Sequence, residues 1–94
     1  ELVTALALLH HLVIGRNITL SMLAEYFKRI APMLIIEWIP REDEKVQQML
    51  SSRPDTFPEY TATAFESYFS QYFTISARKS IPGTSRILYY MRRK

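Results

Sequence analysis

The chain has no cysteine, only two glycines, and no apolar run long enough to span a bilayer, which takes about 20 residues. The missing cysteine excludes disulfides and thiolate metal sites, and fits a reducing compartment. Few glycines together with 48% hydrophobic residues exclude a disordered tail. The apolar start lacks the basic leader and small-residue cleavage site of a signal peptide. A soluble, cytoplasmic protein with no membrane partner is therefore expected. Strong charge is also missing. The net charge is +3, and its excess sits locally at Arg78, Lys79, Arg86, Arg92, Arg93 and Lys94, offset by the acidic run Glu42, Asp43 and Glu44. Such a block reads as a solvated strand end and terminus, and no nucleic-acid motif accompanies it. Ninety-four residues make one domain at most, near the small end of what can bury a core.

What is present begins with residues 2–12, LVTALALLHHL, an apolar run that stops at two adjacent histidines. The first part, residues 2–9, reads as a strand buried on both faces of a parallel sheet. His10 and His11 would then lie at the sheet's carboxyl edge, where open α/β sheets bind ligands. A strand at the very start of the chain suggests the carboxyl-terminal piece of a longer protein. Residues 10–17 read as a connection containing Gly15 and Asn17. Leu20, Leu23, Ala24, Phe27 and Ile30 keep helical rhythm over residues 20–30, with Thr19 as cap, Ile18 and Leu23 as a hydrophobic staple, and Pro32 as the stop. Residues 33–39 form a second apolar strand, broken only by Glu37 and closed by Pro40.

Strand, helix and strand in this order make a βαβ unit. A second helix is expected over residues 42–50, with its acids at the positive end of the helix dipole. A loop containing Pro54 and Pro58 follows over residues 51–58. A third helix starts after Thr61, with Tyr60 and Phe65 as a staple and Phe65, Tyr68, Phe69 and Tyr72 along one core-facing side. Residues 73–78 alternate as a half-exposed strand, and residues 87–91 form another. The short link between them demands an antiparallel hairpin. The fold class is α/β, a mixed sheet in the order β-α-β-α-α-β-β, in a single domain over residues 1–94.

With its histidine pair after the first strand, this order resembles the carboxyl-terminal half of a class I S-adenosylmethionine-dependent methyltransferase, a Rossmann-like fold. That family's fourth strand carries a motif of the kind A-L-x-x-x-H-H-L, and here Ala5-Leu6-Ala7-Leu8-Leu9-His10-His11-Leu12 stands in its place. Residues 33–39 resemble the fifth strand, and residues 73–78 and 86–91 the sixth and seventh, a reversed hairpin. The stretch LVIGRNITL, residues 12–20, is similar to a bacterial subgroup that includes nodulation-type methyltransferases. The family's glycine-rich turn and the acidic residue that holds the ribose are absent here, because both would lie before Glu1. The resemblance thus implies the substrate-side half of an enzyme that uses S-adenosylmethionine, inactive alone, with an upstream half of the same protein and a methyl acceptor as its partners.

The resemblance puts His10 or His11 beside the methyl donor as a base, with His10 and Leu9 at the margin of the cofactor site. Adjacent residues of an extended chain face opposite ways, so one of the two histidines would enter the cleft. Capping the strand or bonding a loop carbonyl is the structural alternative. Arg16, Asn17 and Glu37 are candidate substrate contacts. Glu37 would face the acceptor, or pair with a cation such as Arg16, since a buried carboxylate needs a partner. Trp38 is expected to pack under a helix. No metal site is expected from two histidines without a third ligand. The competing function is a non-catalytic interaction module, in which the first strand offers an open edge to a second copy or to another chain.

Overall fold

In the computed structural model, which describes residues 1–51 and 57–94, four strands form one mixed sheet in the order β1-β2-β4-β3. The strands are β1 (Leu2–Ala5), β2 (Met33–Trp38), β3 (Phe73–Ser80) and β4 (Ile87–Arg93). The helices are α1 (Leu20–Ile30), α2 (Glu44–Leu50) and α3 (Ala62–Ser70), and a π-helical turn covers His11–Gly15. β1 and β2 are parallel, whereas β4 runs antiparallel to both β2 and β3. Pro54, and with it most of the loop expected over residues 51–58, lies outside the described residues.

One face of the sheet carries the core. Leu34, Ile36 and Trp38 of β2 lie beside Met91, Tyr89 and Ile87 of β4, and all but Ile87 are fully buried. α3 covers this face: the Phe65 ring stacks on Trp38 at 5.1 Å and meets Tyr89 edge-on at 4.9 Å. α1 joins the same layer through Phe27 and Phe69, whose ring centroids lie 6.4 Å apart. The expected placement of Trp38 beneath a helix is found, and of the expected aromatic side Phe65 and Phe69 are buried while Tyr68 and Tyr72 are half-buried at its margin. The opposite face is partly open, with Met33 and Arg92 exposed and Ile35 and Tyr90 half-buried.

α1 has the bounds its rhythm predicts. Thr19 caps it, its Oγ1 accepting the Met22 N–H at 3.1 Å. Ile30, expected in the core, is exposed, and lines the groove beside β1 instead. α2 starts at Glu44 rather than residue 42, since Asp43 is itself the cap and accepts the Lys45 N–H at 2.9 Å. Thr61 caps α3 in the same way through the Ala64 N–H. The hairpin strands run beyond the expected 73–78 and 86–91 limits, to Ser80 and Arg93, with an irregularity between Ile75 and Ala77. The turn between them seats Gly83 at φ 79°, which glycine tolerates without cost.

The first strand differs most from expectation. It ends at Ala5, four residues short of the predicted limit, and it is an edge strand whose exposure alternates rather than one buried on both sides. Only Val3 and Thr4 in this stretch are β-branched, and the leucines and alanines that follow suit helix at least as well as strand. The chain breaks at Ala7, which has φ 52°, and becomes helical at Leu9. The expected 10–17 connection is therefore largely the π-helical turn, packed against α2, where a Cβ on Gly15 would meet Met49 Cε at 3.2 Å.

Candidate functional site at the carboxyl ends of β1 and β2

The carboxyl ends of β1 and β2 lie side by side in register, Ala5 beside Ile36, and the segment after β1 folds over that edge. His10 and His11 occupy neighbouring positions of a helical turn, not of an extended chain, so they diverge by about 100° rather than 180°. Their rings still touch, with centroids 4.2 Å apart. His10 points inward and is 2% exposed, whereas His11 is exposed. Nδ1 of His10 is buried and has no hydrogen-bond partner among the described residues. Burial, with added repulsion from His11 and Arg86, pulls the His10 pKa down to about 4 against a smaller opposing pull from Asp43. His10 is accordingly a neutral ring at physiological pH.

Glu37 comes up from β2 into the same region and is buried. Its Oε1 accepts the Ala7 N–H at 2.6 Å and lies 3.8 Å from Arg86 Nη1. The cation expected beside it, Arg16, is elsewhere: Arg16 is exposed and its side chain makes no hydrogen bond or ion pair with the described residues. Arg86 takes its place. In the β2–β4 register Leu88 faces Glu37, so Arg86, two residues earlier, emerges on the same side of the sheet as its diagonal neighbour. The guanidinium grips Asp43 with two bonds, Nε to Oδ2 at 2.9 Å and Nη2 to Oδ1 at 3.2 Å. That grip holds the Asp43 carboxyl below its usual range. Arg86 is thus a half-buried structural cation, not part of a solvated basic block.

The remaining expected site residues are scattered. Leu9 is 1% exposed and belongs to the core. Asn17, at φ 59°, lines a separate groove of about 280 Å³ together with Val13, Thr19 and Tyr60. The sheet edge thus joins His10, His11 and Glu37 and adds Ala7, Asp43 and Arg86, which the linear sequence hides. A buried Glu37 did call for a cation, and pairing residues 87–93 with β2 identifies Arg86 as that cation. Among the described residues no cluster of three or more histidines or carboxylates could hold a metal ion, and no helix is long and apolar enough to cross a membrane.

A broader apolar groove, about 650 Å³, lies along the open edge of β1. Val3, Leu8, Met22, Tyr26 and Ile30 line it, and Glu25 and Arg29 stand at its rim. Leu2, Leu6, Leu8, Met22, Tyr26, Ile30 and Met33 are the exposed large apolar side chains among the described residues, and most of them flank this edge.

A compact α/β domain with a mixed four-strand sheet and a polar cluster at its carboxyl edge is the class that these observations define. No family model matches the chain, and no solved structure matches it. The chain is 41% identical over 93 residues to the nodulation protein NoeA of Rhizobium meliloti (strain 1021). That similarity covers 99% of this chain but 20% of NoeA, so the chain spans about a fifth of the relative's length.

Proposed function

We propose that the chain is the substrate-side part of an S-adenosylmethionine-dependent methyltransferase, and that the turn after β1 is its catalytic edge. The observation that carries this reading is the strand order β1-β2-β4-β3, with a closing strand that runs against both of its neighbours. That reversed hairpin is what the methyltransferase resemblance implies, and the two histidines follow β1 at the sheet's carboxyl edge, the edge this reading makes catalytic. Fold alone does not fix function, so the assignment leans on this edge.

Within the reading the histidines divide their work. His11 is exposed and free to accept a proton from a hydroxyl or amine acceptor as it is methylated. His10 is shut into the core and anchors the turn. Glu37 is engaged by Ala7 and Arg86 and so acts on the turn rather than on an acceptor. Arg16, exposed, and Asn17, in the separate groove beside Tyr60, are kept as acceptor contacts by the reading alone. The residues present do not make a cofactor site by themselves. Gly15 packs against Met49 and Gly83 turns the hairpin, so neither offers the close backbone approach that the methionine portion needs. The reading assigns that task to polypeptide outside these residues.

The test is binding of S-adenosylmethionine by calorimetry to the full gene product that carries this sequence. Binding in the micromolar range, followed by loss of methyl transfer in His11→Ala with the affinity kept, supports the reading. No binding to the full product would overturn it. A second reading, a non-catalytic module that docks another chain or a second copy, is favoured by the apolar groove along β1. It predicts a complex whose formation Leu6→Lys abolishes.

A further inference from the structure

We infer that Glu37 is a positioning residue that fixes the paired-histidine turn through a single hydrogen bond to the backbone of Ala7. The catalytic meaning of this inference rests on the methyltransferase reading; the clamp itself does not. A buried carboxylate in an apolar strand is costly unless it is engaged, and the distances say which partner engages it. Arg86 is committed to Asp43 by two bonds of 2.9 and 3.2 Å and stands 3.8 Å from Glu37. The short, directed bond of Glu37 goes instead to the Ala7 N–H, at 2.6 Å. A charge-assisted bond to a backbone N–H is among the stronger kinds.

Ala7 is the residue that needs holding. Its φ of 52° is left-handed, a conformation alanine adopts only when its surroundings impose it. The reversal there ends β1 and lets the helical turn begin, with the Leu8 carbonyl accepting the N–H groups of His11 and Leu12 at 3.0 and 3.1 Å. That turn sends His10 inward and leaves His11 outside. Glu37 therefore acts on the histidines at one remove: β2 holds the carboxylate, the carboxylate holds Ala7, and Ala7 sets the phase of the turn. Arg86, itself held by Asp43, stands 3.8 Å from the carboxylate.

The experiment compares Glu37→Gln, Glu37→Leu and the double variant Ala7→Gly/Glu37→Leu. Glutamine keeps an acceptor oxygen without the charge, and leucine keeps bulk without an acceptor. Glycine adopts the left-handed turn with no clamp. Amide exchange at residue 7 is followed by NMR, and access to the histidine rings by carbethoxylation. Glu37→Leu is expected to speed exchange at Ala7 about tenfold and to make His10 react like His11. Glu37→Gln should retain most of the protection, and Ala7→Gly should restore the burial of His10 in the leucine background. If methyl transfer is detected, kcat should fall in Glu37→Leu with KM little changed, and glutamine should rescue it.

Equal behaviour of Glu37→Gln and Glu37→Leu would overturn the clamp and make Glu37 an ion-pair partner of Arg86. An unmoved Ala7 amide in Glu37→Leu would overturn it as well. Should Glu37→Leu fail to fold, the double variant decides: folding restored by Ala7→Gly supports the clamp, and a double variant that also fails counts against it. Absence of methyl transfer in the unaltered protein would defeat the functional reading and leave these exchange results intact.

Discussion

At the scale of single residues, His10 carries the clearest consequence. A histidine whose folded pKa is lowered resists protonation in the native state but not in the unfolded chain. The unfolded state therefore binds more protons between the ordinary value of 6.5 and about 4, and stability falls as pH drops through that window. Each unit of difference is worth about 1.4 kcal/mol. Asp43 and Glu66 act at lower pH. Arg86 and Arg78 hold these carboxyls below their usual range, so their contribution is lost only on deeper acidification. The melting temperature should drop from pH 7 to pH 4, and His10→Phe should flatten the part of that drop above pH 4. Thermal melts of both proteins across that range check it. A His10→Phe curve parallel to the original would locate the acid sensitivity elsewhere.

That His10 would be buried was only half legible from its place in the chain. An apolar run ending in two histidines does mark the sheet's carboxyl edge, but which ring turns inward depends on the local backbone, and the strand expected over residues 2–9 holds only to Ala5 before the chain turns and becomes helical at Leu9. The left-handed Ala7 was invisible, because nothing in the alanine itself requires φ 52°; the requirement comes from Glu37, 30 residues away. Arg86 was hidden for the same reason, its partner Asp43 lying 43 residues earlier.

At the scale of elements, local signals decide more. Thr19, Thr61 and the 3.6-residue rhythm set the starts of α1 and α3 as written in the sequence, because caps and amphipathic faces are encoded within a few positions. The extent of β1 is not encoded that way, since a strand's length depends on its neighbours. Packing and capping in α3 should separate cleanly by mutation. Phe65→Ala removes a fully buried ring between Trp38, Phe69 and Tyr89, and is expected to cost about 3–5 kcal/mol. Thr61→Ala removes one cap bond at the start of the same helix, and should cost about 1 kcal/mol. Urea denaturation of the two variants measures both. Similar losses would mean that α3 is held by its end rather than by its face.

At the scale of the whole molecule, the sheet is finished on one side and unfinished on the other. β3 closes its edge with Ser76, Arg78 and Lys79, all exposed, the polar kind of edge that discourages pairing. β1 leaves its edge open beside an apolar groove. Alternation from the Met33 N–H bond to the Glu1 carbonyl turns the backbone groups of Leu2 and Thr4 toward that open side. These 94 residues expressed alone should therefore associate as concentration rises. Light scattering should record the association, and Leu6→Lys with Met22→Lys should suppress it without changing the circular dichroism spectrum. A monomer at all concentrations would mean that the exposed leucines are tolerated as ordinary surface.

The single tryptophan sits at the centre of the aromatic layer, 2% exposed, with Tyr60 at 4.6 Å and Phe65 at 5.1 Å. Nature has thus installed one optical reporter at the junction of sheet and α3, with no second indole to confuse its signal. Its emission should be blue in the native state and shift red only when α3 leaves the sheet. Collapse of the core can then be timed by light, apart from any rearrangement at the histidine turn.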